Sequence, residues 1–166
     1  MNLNAQMRKY DFLIGEWKLK YRVPKSIYSE ATTGSGEGTF KRALAGKCVF
    51  FDYSCTLRSA PDQTTTAHGV FAWDEKAGIH RYWWFESSGA FLTAICNFIG
   101  NDTLLMNWHD TLLTQTFKKA DPDKVVLRME NPNPDGGYEL VMEVILSRVR
   151  GTHRVRRKRH VLHPIL

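Results

Sequence analysis

The sequence predicts an all-β protein, a closed antiparallel up-and-down barrel of about ten strands preceded by a short helix or turn. Three observations predict it. Apolar and polar residues alternate with period two along most of the chain, turn-forming residues punctuate it at short intervals, and only Asn4–Phe12 carries a helix-like pattern. Successive side chains on a strand point to opposite faces, so this alternation marks one buried and one wet face, the habit of antiparallel sheets. Short connections favour pairing of sequence neighbours, and closure removes the two sticky edges that an open meander would expose.

The elements follow in order. In Gly15–Val23, Trp17, Leu19, Tyr21 and Val23 alternate with Lys18, Lys20 and Arg22. Gly36–Leu44 sets Gly38 and Phe40 against Glu37, Thr39 and Lys41, and Cys48–Arg58 is rich in β-branched and aromatic residues. Thr64–Trp73 runs into Asp74-Glu75-Lys76-Ala77-Gly78, a hairpin loop, and Ile79–Glu86 returns from it. Ser87-Ser88-Gly89 leads to Ala90–Ile99, and Gly100-Asn101-Asp102 to Thr103–His109. Thr111–Lys118, Lys124–Glu130 and Tyr138–Arg148 complete the set, the last two separated by the Pro- and Gly-rich loop Asn131–Gly137. Gly34, Gly36 and Gly38 open no helix, so they do not read as a phosphate cradle. They read as a flexible loop and a strand bend in the barrel wall.

Composition bounds the function. The chain has 166 residues, enough for one domain with a core, and a hydrophobic share of 43% that argues against disorder. No apolar run is long enough to cross a bilayer as a helix, and the start lacks the basic and apolar regions of a secretory signal. Cys48, Cys55 and Cys96 are an odd set without metal-ligand spacing, so reduced thiols in a cytoplasm are expected. The net charge of +6 belongs to one end. Seven basic and no acidic residues lie in 148–166, leaving 16 basic against 17 acidic residues before it. The division expected is a barrel domain over 1–149 and a basic tail over 150–166. That tail is a cation run of the kind that binds polyanions, or simply a solvated end. The body carries no basic patch, so nucleic acid is not expected there.

At Phe12-Leu13-Ile14-Gly15-Glu16-Trp17 the chain resembles the lipocalin-like (calycin) barrels, in which a short turn or helix precedes a G-x-W strand. Gly69-Val70-Phe71-Ala72-Trp73-Asp74 and Gly78-Ile79-His80-Arg81-Tyr82-Trp83-Trp84-Phe85 extend the resemblance to a set of uncharacterised bacterial domains, over roughly 8–148. The resemblance implies a tryptophan packed across the barrel floor and a cavity for a small apolar or amphiphilic molecule. It brings no catalytic residues. A related branch of ten-stranded barrels binds haem through a histidine on a late strand, and Tyr138–Arg148 holds none.

The leading expectation is therefore a binding module that takes a small hydrophobic or amphiphilic ligand, with no cofactor and no metal. Trp17, Phe40, Tyr53, Tyr82, Trp84, Asn107 and His109 are the expected lining residues, large or polar on predicted strands. A register slip of one residue would substitute Trp83, Phe85 and His68. His68, His80, Glu86, Asn107, His109 and Glu143 are candidates for a polar cavity floor. Both faces of Tyr82–Phe85 are aromatic, so one face needs a cover, and a homodimer would supply it. Two other readings stand beside this one. One is an isomerase or hydrolase using an inward His and Glu, and the other is a polyanion-binding protein acting through its tail.

Overall fold

A computed structural model describes residues 2–26 and 29–150. A short helix, α1 (Leu3–Arg8), precedes ten strands: β1 (Gly15–Val23), β2 (Thr32–Ala43), β3 (Cys48–Leu57), β4 (Thr64–Asp74), β5 (Ile79–Glu86), β6 (Phe91–Ile99), β7 (Thr103–Trp108), β8 (Thr114–Asp121), β9 (Lys124–Pro132) and β10 (Tyr138–Arg148). Every neighbouring pair is antiparallel and sequential, and β1 pairs with β10 to close the barrel. Closure gives every strand two partners, so no edge is left open along the ladder.

Several boundaries differ from the sequence reading: β9 runs on to Pro132, so Asn131 and Pro132, read as loop, pair with Glu139 and Tyr138, and β8 runs on to Asp121. β2 begins at Thr32, so Gly34, Gly36 and Gly38 lie inside a paired strand opposite Leu57, Cys55 and Tyr53. β8 begins at Thr114, because Thr111 starts a local turn in which its hydroxyl accepts the Leu113 N–H at 2.7 Å.

Chain direction places α1 and the loops after β2, β4, β6 and β8 at one end of the barrel, and the loops after β1, β3, β5, β7 and β9 at the other. The α1 end is a packed floor. Met7, Tyr10 and Leu13 are fully buried there with Trp17 and Phe71. Tyr10 packs against Phe71 at 5.1 Å and Phe98 at 5.0 Å between ring centroids. Gly15 and Trp17 are fixed by Arg148, their neighbour across the closing seam. The guanidinium lies 4.2 Å from the Trp17 ring and donates to the carbonyls of Ile14 (2.6 Å) and Phe12 (3.2 Å). Gly15 has φ +134°, and a Cβ there would sit 2.5 Å from Arg148 Nη1, so this turn requires glycine. Trp17 Nε1 donates to Leu13 O at 2.7 Å.

His80 is buried in the same floor, and its Nε2 donates to Gln6 Oε1 at 3.1 Å. Burial, and secondarily the Lys9 charge, lower its pKa from 6.5 to about 4. The unfolded chain therefore takes up a proton near pH 6.5 that the folded chain refuses until about pH 4. This contribution to stability is complete above pH 6.5 and is lost as the pH falls toward 4. Urea midpoints measured across that window should fall more steeply for the native chain than for His80→Gln. Equal slopes would remove His80 as the cause.

Candidate functional site

The upper half of the barrel, away from α1, is hollow. The strands turn Leu19, Tyr21, Phe51, Tyr53, Tyr82, Trp84, Trp108 and Gln115 inward around a cavity of about 350 Å³. Leu57, Thr65, Glu86, Leu92, Leu113, Met129 and Met142 ring its mouth. The volume suits a small molecule, and the lining is mostly apolar and aromatic with a few polar groups, as ligand sites are. Below it a layer of Phe40, Phe51, Phe71 and Phe117 fills the barrel. Phe40 and Phe51 are stacked at 3.9 Å, and Phe117 stands edge-on to Phe40 at 6.0 Å.

The aromatic wall is continuous. Tyr53 lies 5.5 Å from Trp84, Trp84 6.0 Å from Tyr82, and Tyr82 5.7 Å from Trp108. Along β5, Tyr82, Trp84 and Glu86 share the inward face because they are two residues apart. Trp84 Nε1 donates to Glu86 Oε2 at 3.3 Å, and the Ser88 hydroxyl donates to Oε1 at 2.8 Å. Among the described residues Glu86 is the only charged side chain on the lining, and no lysine, arginine or histidine forms an ion pair with it. Burial is the main cause that pushes the Tyr21 and Tyr53 hydroxyls and the Cys55 thiol up in pKa, so these groups stay protonated and neutral. A thiol held neutral is a poor nucleophile.

The seven residues expected to line the site divide three ways. Tyr53, Tyr82 and Trp84 face the cavity. Trp17 and Phe40 point inward but are fully buried below it, in the floor and the phenylalanine layer. Asn107 and His109 do not reach it. Asn107 is exposed on the outer face of β7, where Leu104, Met106 and Trp108 take the inward positions, and His109 lies beyond the strand end with its side chain 69% exposed. The alternative set faces outward. His68 shares a hydrogen bond with Asp52 at 2.7 Å, while Phe85 and Phe91 form an exposed pair 5.1 Å apart. Glu143 is also outside, paired with Arg22 at 3.1 Å.

Among the polar candidates, His80 and Glu86 alone turn inward, at opposite ends of the same strand. The histidine–carboxylate pair that an acid–base enzyme would need is therefore not assembled in the cavity. The sequence reading did not name Leu19, Tyr21, Phe51, Trp108 or Gln115 as lining, and it expected Glu86 in a polar floor when it stands at the mouth. The adjacency of Trp108 to Asn107 was the available signal, since only one of them can face in.

All three cysteines are free thiols. Among the described residues no group of three or more metal-ligating side chains comes together, and no helix is long and apolar enough to cross a membrane. The basic segment from Gly151 onward lies outside the described residues.

No protein-family description matches the chain, and no curated protein does. Solved structures do. The S-type phycobiliprotein lyase CPES from Guillardia theta is similar over 91% of this chain and 94% of its own, with a TM-score of 0.54 and 9% sequence identity. A de novo designed fluorescence-activating β-barrel covers 90% of the chain and 100% of its own, at a TM-score of 0.43 and 11% identity. A redesigned β-barrel bound to DFHBI covers 82% and 99%, at 0.47 and 12%. The chain shares a ten-stranded barrel with the lyase. At such identity the likeness is one of fold.

Proposed function

We propose that the protein is a lipocalin-like binding module that takes a small apolar or amphiphilic molecule into the upper half of its barrel. The cavity carries this reading, with its volume of about 350 Å³, its Tyr53–Trp84–Tyr82–Trp108 wall and its single rim of polar groups. Affinity comes from removing apolar surface from water, at about 25 cal/mol per Å². The polar rim orients the ligand.

Native and denaturing mass spectra of the freshly purified protein test this directly. A mass excess of a few hundred daltons in the native spectrum, absent on denaturation, supports a carried ligand. Emptied protein titrated with a neutral apolar probe should show changed tryptophan fluorescence, because Trp84 and Trp108 line the cavity. Trp84→Ala should weaken that probe about tenfold, the loss expected when about 1.4 kcal/mol of contact disappears. An unchanged affinity would place the probe elsewhere.

The exposed Phe85–Phe91 pair supports a second proposal, a homodimer that covers this outer face. The same native spectrum reads it, and a monomer at micromolar concentration would remove it.

A further inference from the structure

The cavity has an electrostatic sign. Glu86 places a carboxylate at its mouth, and among the described residues no basic side chain lines the cavity to balance it. Among the described residues its two oxygens accept only from the neutral Trp84 indole and Ser88 hydroxyl, which leaves lone pairs available to a ligand. Beside it stand the tilted rings of Tyr53 and Trp84, 5.5 Å apart. Aromatic faces next to a carboxylate are the recognition chemistry of an ammonium group, which gains from the ring quadrupoles and from the opposite charge together. An anionic head meets the reverse: a like charge within a low-dielectric mouth and no cation to compensate it.

The loops at this end reinforce the sign. Glu30, Asp62, Asp110 and Asp135 lie on them, against Lys25 and Arg58.

We infer that the ligand is a cationic amphiphile, its apolar body between Tyr82, Trp108 and Leu127 and its ammonium head against Glu86, Tyr53 and Trp84. This rests on the cavity-binding reading above.

Three probes with one tail separate the two claims: decyltrimethylammonium, 1-decanol and decanoate, titrated into the full-length protein below their micelle concentrations and read by calorimetry and tryptophan fluorescence. The expected order is ammonium at least tenfold tighter than alcohol, and decanoate weaker than alcohol. Glu86→Gln keeps an oxygen that can accept from Trp84 and places an amide N–H that can donate to the Ser88 hydroxyl, but removes the charge. It should abolish the preference, bringing the ammonium to within about threefold of 1-decanol when both are measured on that variant. Equal binding of all three probes, or an ammonium preference that survives Glu86→Gln, overturns the inference and leaves the cavity reading intact. Failure of 1-decanol and of both charged probes to bind overturns the two together.

Discussion

Trp17→Ala should cost about 3–5 kcal/mol, a large share of the roughly 5–15 kcal/mol that holds a domain of this kind together. The indole is 1% exposed, so its removal leaves a hole in the floor. It also strands the Leu13 carbonyl, which accepts from Nε1, and removes the ring beneath the Arg148 guanidinium. That guanidinium bridges β10 to the segment entering β1, so the same change loosens the seam at which the barrel closes. Urea denaturation followed by circular dichroism should show the midpoint collapse. A loss below about 1 kcal/mol would mean that the floor repacks and that Trp17 is not its centre.

Gly36→Ala is the second large effect, on the adjoining strand β2, where Gly36 faces Leu19. An added Cβ would overlap the Ser54 carbonyl oxygen and stand 2.9 Å from its carbon and 3.1 Å from Cys55 Cα. These are backbone atoms of the paired strand, so no rotamer change relieves the clash, and β2 and β3 must separate. The expected cost is about 3 kcal/mol, the upper end for overpacking. Gly46→Ala is a useful contrast, since nothing lies within 4 Å of its added Cβ and only its positive φ opposes it. Equal losses at the two positions would assign the Gly36 effect to backbone freedom instead of contact.

These two positions also show what the sequence could reveal. The seam was legible: Gly15 and Trp17 open a strand whose alternation is unbroken, and one face of it had to be buried. The role of Gly36 was not, because glycine carries no side chain to mark a face, and Thr32–Gly38 therefore read partly as a loop. Its partner across the sheet is known only from the register. The site was legible only where alternation was clean. Tyr53, Tyr82 and Trp84 could be placed, but β7 reads Leu104-Leu105-Met106-Asn107-Trp108, apolar on both faces, and polarity then pointed to Asn107 when Trp108 takes the interior. Nor does any local pattern distinguish the filled half of a barrel from the hollow half. That depends on where α1 and the phenylalanine layer stop.

The division of the barrel into a filled half and a hollow half has an evolutionary consequence. The residues that hold the fold closed, around Tyr10, Trp17, Phe40, Phe71 and Arg148, share little with those that line the cavity, from Tyr53 to Glu86 and Met142. Substitutions at the rim leave the closure contacts untouched. Lineages descended from one such barrel are free to exchange their guests while inheriting the same base, and their kinship would then be read from the base alone.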